Sequence, residues 1–391
     1  MNWNDKTAAN VKAIKPSGIR KFFDIAAQVK GVLSLSIGEP DFAAPDKVLA
    51  AMKVSLDAKE TSYTGNSGMM EFREAISHHF EQRYGVHYDP KDEILVTVGV
   101  SEGLAMALLA ITEPGDEVII PDPAYVAYPA SVELAGGTPV FVPTYPEHDF
   151  KLTVEALEKV ITPKTKAIVI GYPNNPTGTV MSAEELMPIA KFAEEHDLIV
   201  LSDEIYCELM YGDAKFTSFA KLPGMRERTV IFNGFSKAYA MTGMRLGYVC
   251  APREGLAPIL KLHQYAIMCA NTTAQVGGIT ALKECDDDVE AMRQEYDRRR
   301  KVIYKGLCDM GLPVFEPKGA FYIFPDIRCT GMTSAEFCEK LVQEEKVAVV
   351  PGTAFGDQGE GFVRISYAAS MDTIQEALKR MARFVAKYRK D

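Results

Sequence analysis

The stretch KAIVIGYPNNPTGTVMSAEELMPIAKFAEEHDLIVLSDEIY, Lys166 to Tyr206, decides the fold class. It opens on a short run rich in Val and Ile that ends in a polar, proline-broken turn. A helical segment follows, SAEELMPIAKFAEEHD, with Ser182 as its expected N-cap and Glu185 three residues on to complete a capping box. A second apolar run, LIVLSDE, then ends on acids. Strands apolar on both faces and alternating with helices indicate a mostly parallel sheet covered on both sides.

The same pattern extends outward in both directions. EILVTVG, EVIIPD, PVFVPT and TVIFNG are further strand-like runs between about Asp92 and Ala251. After Gly278 the pattern changes. DDDVEAMRQEYDRRRKVIYKGLCDMG reads as a long charged helix, acidic at its start and basic later, as its dipole favours. The rest of the chain mixes the short strands AFYIFPDI, VAVVPG and FVRISYA with helices such as SAEFCEKLVQEE, a compact α+β unit. The expectation is an α/β protein with a large domain over 46–285. A small domain joins residues 1–45 to the α+β unit at 286–391.

Composition narrows the function. A chain of 391 residues exceeds what one hydrophobic core usually organises. Its net charge of −10 argues against a general nucleic-acid binder, because phosphate backbones need a basic footprint. No apolar run is long enough to span a membrane, and the first residues lack the apolar core of a secretory signal. The seven cysteines are scattered without a CxxC pair and read as reduced thiols of a cytoplasmic protein. No pair among the six histidines has metal-ligand spacing on a helix, so no metal site is expected.

In an open parallel sheet, ligands bind outside the carboxyl ends of the strands. Here those ends carry Asp203 with Tyr206 three residues on, Asn174–Asn175–Pro176, and Ser236–Lys237. EILVTVG leads through VSEG into an apolar helix. One sheet edge therefore gathers an acid, a phenol, an amide, a helix N-terminus and a lysine in a glycine-rich setting. An amine nucleophile, a carboxylate for a ring nitrogen and backbone N–H groups for a phosphate together suit pyridoxal phosphate.

The motifs YPNNPTG, SDEIY, FSKAYAMTGMRLGY and FVRISYA, in that order, resemble the class I and II aminotransferases of pyridoxal-phosphate fold type I. SIGEPDF and YTGNSGMMEFREAI fit the same family. The resemblance runs from about Gly18 to the C-terminus and is greatest to the aspartate-aminotransferase-like branch. It implies a seven-stranded, mostly parallel sheet between helices. It implies that Lys237 forms the Schiff base with the cofactor and then moves the substrate proton, that Asp203 pairs with the ring nitrogen, and that Tyr206 and Asn175 donate to the ring oxygen. Backbone at Val100, Ser101 and Glu102, with Ser236 and Arg245, would hold the phosphate. Tyr125 would stack on the ring, and Tyr63 would reach the phosphate of a partner subunit in a homodimer with shared active sites. Arg364 would grip the substrate α-carboxylate, helped by Gly38 and Asn175. Asp122–Pro123 and Asn175–Pro176 are candidate cis peptides.

Two departures from relatives bear on specificity. Several aspartate-specific relatives carry a lysine where this chain has Ser101, and Arg20 is a possible partner for a distal carboxylate. Some relatives have a phosphate-binding serine at Gly234. The expected activity is ping-pong transfer of an α-amino group from an L-amino acid (aspartate, aromatic or similar) to a 2-oxo acid such as 2-oxoglutarate. A C–S β-lyase using the same constellation is the alternative, and a non-catalytic cofactor-binding sensor a more distant one. A nicotinamide dehydrogenase would need a glycine fingerprint that is missing after the first strand.

Overall fold

Side chains along the strand that opens the quoted stretch alternate between two hydrophobic layers. Ala167 and Val169 enter one apolar cluster while Ile168 and Ile170 enter another. The neighbouring strands do the same, Leu201 opposite Val200 and Val230 and Phe232 opposite Ile231. A period of two with both faces apolar is what a sheet covered by helices on each side requires. Burying each such aliphatic side chain contributes about 1.5–3 kcal/mol. A slip of one residue would exchange the two layers, so the apolar pattern pins the register.

The computed structural model describes residues 1–14, 18 and 29–390. In chain order its strands are β1 (Leu33–Ser34), β2 (Ile94–Thr97), β3 (Glu117–Asp122), β4 (Thr138–Pro143), β5 (Thr165–Ile170) and β6 (Ile199–Asp203). They continue with β7 (Thr229–Gly234), β8 (Gly247–Cys250), β9 (Tyr322–Ile323), β10 (Val347–Ala348), β11 (Val350–Pro351) and β12 (Val363–Ser366). The central sheet has seven strands in the order β2-β8-β7-β6-β5-β3-β4. All its pairings are parallel except those of β8, which runs antiparallel to both neighbours. This is the mostly parallel α/β sheet that the sequence led us to expect. Six of its strands were read from apolar runs; β8, lying in the glycine-broken stretch after Arg245, was not.

Helices Gly99–Ile111, Ala127–Leu134 and Arg253–Ala266 cover one face of the sheet. Helix Ala183–Glu195 covers part of the other, and Ser182 and Glu185 form the expected capping box at its start. Asp46–Asp57, Met70–Tyr84 and Thr272–Glu284 pack together beside the β2 end. The long charged helix spans Asp286–Asp309, with Asp286, Asp287 and Asp288 in its first turn. It packs with Met371–Tyr388 over the antiparallel sheet β11-β12-β9. β1 pairs in parallel with β10, Leu33 opposite Val347, which ties the segment before Gly38 to the C-terminal part of the chain. Arg20 lies outside the described residues.

Among the described residues no helix is long and apolar enough to cross a membrane. Among the same residues, no cluster of three or more His, Cys, Asp or Glu is disposed to hold a metal.

Candidate active site

The carboxyl ends of β3, β5, β6 and β7 and the start of the Gly99–Ile111 helix meet at one edge of the sheet, around a cavity of about 500 Å3. Twelve of the thirteen residues singled out from the sequence bear on it. Gly38, Val100, Ser101, Tyr125, Asn175, Asp203, Tyr206, Ser236, Lys237, Arg245 and Arg364 line it. Glu102 lies one residue further along the same helix. Tyr63 does not line it; its side chain is 81% exposed on the outer surface.

Lys237 follows the end of β7, three residues past Gly234. Its Nζ donates to the carbonyl of Gly38 at 2.7 Å. Burial and the nearby Arg364 guanidinium draw its ammonium from 10.5 down to about 8, against the opposing pull of Glu39 and Asp203. Glycine is required at two of the surrounding positions. A Cβ on Gly38 would meet the Tyr322 hydroxyl at 2.7 Å. A Cβ on Gly234 would meet the Gly247 Cα at 2.8 Å and the Leu246 carbonyl at 2.9 Å. The β7–β8 pairing therefore closes position 234 to a serine hydroxyl.

Asp203 ends β6 and is 8% exposed. The Tyr128 hydroxyl donates to its Oδ2 at 2.8 Å and the Ile205 N–H to its Oδ1 at 3.2 Å. Burial pushes the carboxyl up, while these donors and Lys237 hold it back. A buried acid in that balance suits a cationic N–H partner better than another neutral donor. The Tyr206 hydroxyl shares a 2.8 Å hydrogen bond with that of Tyr322.

At the phosphate end, Gly99 has φ +74 and opens the helix. The Arg245 guanidinium occupies the space beside it, where a Cβ would lie 2.5 Å from Nη2. Arg245 donates to the Thr242 carbonyl at 2.9 Å and, among the described residues, forms no ion pair. A helix start with free N–H groups, a hydroxyl residue at Ser236 and a guanidinium without an acid is a fitting cup for a phosphate.

Arg364 enters from β12 and is 2% exposed. Its Nη1 donates to Asn175 Oδ1 at 3.0 Å and its Nη2 to the Ser36 carbonyl at 2.6 Å. Its Nε has no partner among the described residues. The Tyr322 and Phe355 rings flank the guanidinium at 4.6 and 4.7 Å and fix its plane. A planar, desolvated fork with an open N–H matches a carboxylate. The residues at hand therefore fit pyridoxal phosphate and an amino-acid carboxylate together.

Tyr128, Tyr322, Ser36 and Phe355 were not singled out from the sequence. Only Tyr128 carried a local signal, lying one helical turn beyond Tyr125. The others reach the site through long-range packing. Both expected cis peptides, Asp122–Pro123 and Asn175–Pro176, are present, with a third at Tyr172–Pro173.

Comparison with known proteins points to one family. The family model described as aminotransferase class I and II matches residues 30–381. A putative aminotransferase of Bacillus subtilis, YugH, is 53% identical over 96% of this chain and 97% of its own length. An aspartate aminotransferase of Pyrococcus abyssi is 50% identical over 94% of this chain and 95% of its own. Among solved structures, the aromatic aminotransferase of Pyrococcus horikoshii superposes with a TM-score of 0.90 at 48% identity, over 94% of this chain and 99% of that one.

Proposed function

The chain belongs to the class I and II aminotransferases and is a pyridoxal-phosphate-dependent transaminase, and from that premise we propose how its residues divide the work. When bound, the cofactor supplies an electron sink that acidifies the substrate Cα–H and a carbon that carries the amino group. Lys237 would hold the cofactor covalently, and its free Nζ would take and return the Cα proton. An amine drawn down to about 8 gives up its proton more readily than an ordinary lysine, which favours a general base. Asp203 counters positive charge at the ring nitrogen, and Tyr128 orients that carboxylate. Tyr206 and Asn175 would donate to the ring oxygen, and Tyr125 would stack on the ring. The N–H groups of Val100, Ser101 and Glu102, with Ser236 and Arg245, hold the phosphate.

Arg364 binds the α-carboxylate of both donor and acceptor, with Asn175 and the backbone at Gly38 completing that subsite. The observation that carries this reading is the pairing of two desolvated cations, Lys237 and Arg364, with one buried acid, Asp203, around a single cavity. The donor is an L-amino acid (aspartate, aromatic or similar), and the acceptor a 2-oxo acid such as 2-oxoglutarate. The names of relatives above span both donor classes.

Residues 46–285 act as a large domain that carries the cofactor. Residues 1–45 and 286–391 act as a small domain that closes over substrate, a division supported by the β1–β10 pairing. Two subunits share their active sites. Exposed Tyr63, Tyr265, Ile267 and Met268 support a homodimer interface, and the Asn66 side chain donates to the Met268 carbonyl at 2.8 Å to join the two segments. Seven unpaired cysteines support a cytoplasmic location.

The test is an absorbance titration of the purified protein with pyridoxal phosphate and single L-amino acids. The yellow band is expected to bleach with accepted donors and return with 2-oxoglutarate. Borohydride should fix the cofactor to wild type and not to Lys237→Ala; a stable adduct in that variant would defeat the assignment.

A further inference from the structure

Behind the phosphate cup lies a buried polar pair that the reading above does not use. His263, in the last turn of helix Arg253–Ala266, is fully buried. Its Nδ1 lies 2.8 Å from Glu102 Oε1. The other Glu102 oxygen accepts the Val98 N–H at 2.7 Å. Because carboxylate oxygens accept, the imidazole presents its N–H to Glu102. Nε2 has no partner among the described residues, so Glu102 is what holds the ring's polar edge.

The position of Glu102 makes this pair matter. It sits in the first turn of the Gly99–Ile111 helix, whose N–H groups and positive dipole end would receive the phosphate. An acid there competes with a phosphate for the same field. Here the acid is turned back: one oxygen pins Val98, the residue before the positive-φ Gly99, and the other is held by His263. Thr97 pins the same turn from its other side, its hydroxyl donating to the Gly99 carbonyl at 2.9 Å. Fixing Val98 and Gly99 also keeps open the space that Arg245 fills.

We propose that His263 is a positioning residue that acts through Glu102 to hold the phosphate-binding turn in shape and the Glu102 charge away from the phosphate. The inference rests on the cofactor reading above. It says that His263 touches neither cofactor nor substrate, yet sets how strongly the protein prefers a phosphorylated cofactor.

The experiment is equilibrium binding of pyridoxal phosphate and of pyridoxal, which lacks the phosphate, to the full-length chain stripped of cofactor. The readout is the ratio of the two affinities. His263→Leu keeps the buried volume and removes the N–H. It is expected to lower that ratio about tenfold, the scale of one hydrogen bond to a charged group. His263→Gln, which retains an N–H, should keep the wild-type ratio. Adding Glu102→Gln to His263→Leu removes the charge and should recover most of the loss. If His263→Leu weakens both ligands equally, or His263→Gln loses the ratio, or the double variant does not recover, the inference is overturned. If wild type shows no preference for the phosphorylated ligand, the cofactor reading fails instead.

Discussion

Two arginines buried to the same depth differ in what surrounds them. Arg300, on the long helix Asp286–Asp309, is 3% exposed, and Arg364, on β12, is 2% exposed. Arg300 meets two acids, Asp297 at 2.8 Å and Glu316 at 2.6 Å, and also donates to the Pro317 carbonyl at 3.0 Å. Arg364 meets no acid among the described residues, its Nε is buried without a partner, and the residue lines the cavity. Desolvating an ion is costly unless its partners lie within the fold. Arg300 has them, whereas the proposed partner of Arg364 arrives with the substrate. The missing acid is not diagnostic by itself. Arg73 is also buried without a bonded carboxylate, but it donates to the carbonyls of Gly68, Pro90 and Lys91. A buried guanidinium that has no acid and lines the cavity marks the functional case.

The comparison breaks most visibly if the two arginines are truncated in turn. Arg364→Ala is expected to lower kcat/KM for amino donors about 1000-fold, the scale of losing one desolvated charged contact. Its unfolding free energy in urea should stay within about 1 kcal/mol of wild type, because Asn175 and Ser36 lose donors while a buried charge disappears. Arg300→Ala should do the reverse. It removes a buried stem and two carboxylate contacts, leaving Asp297 to Lys301 and Glu316 to solvent, at a cost of about 3 kcal/mol in stability. Its kcat/KM per folded molecule should change less than about threefold. Equal losses of activity in both variants would end the distinction.

How much of this was legible in the sequence follows the range of the interactions. The parallel sheet could be read because period-two apolar runs and capping are local, as in Lys166–Tyr206 with its Ser182–Glu185 box. Lys237, Asp203 and Asn175 stood out because strand ends gather polar residues that a strand interior excludes. The Tyr322 and Phe355 flanks of Arg364 left no such trace. They come from β9 and from the turn after β11, and reach Arg364 only because β12 pairs between those two strands. The antiparallel β8 was missed because Gly247–Cys250 is short and follows a turn in which Arg245 has positive φ. Glu102 was singled out for its backbone, and nothing in the sequence tied its side chain to His263, 161 residues away.

Lys237 sharpens the contrast on the side of stability. Its ammonium is drawn from 10.5 to about 8, so between those values the unfolded chain holds a proton that the folded chain has released. The stability of the cofactor-free protein therefore rises with pH across that window, and below pH 8 the full cost of the desolvated ammonium is present. Lys237→Met should stabilise the cofactor-free protein by on the order of 2 kcal/mol at pH 7, with the gain fading by pH 10. Urea unfolding at the two pH values measures it. A variant less stable than wild type at pH 7 would mean that the bond to the Gly38 carbonyl outweighs desolvation.

The smallest effect tests the case between the extremes. Glu204 adjoins Asp203 but turns away from the cavity. Its Oε1 accepts the Ser202 and Ser218 hydroxyls and the Phe219 N–H, each at 3.0 Å, and no cation pairs with it among the described residues. Burial raises its carboxyl from 4.5 to about 7. Between those values the folded chain holds a proton that the unfolded chain has lost, so stability falls as pH rises through the window. Glu204→Gln keeps an acceptor for the three donors and removes that titration. The difference in unfolding free energy between variant and wild type should therefore move in the variant's favour by on the order of 1 kcal/mol from pH 5 to pH 8. Activity should be spared, since Asp203 and not Glu204 faces the cavity. A pH-independent difference would mean that three neutral donors to one oxygen hold the buried carboxylate ionised throughout, doing for Glu204 what two acids do for Arg300.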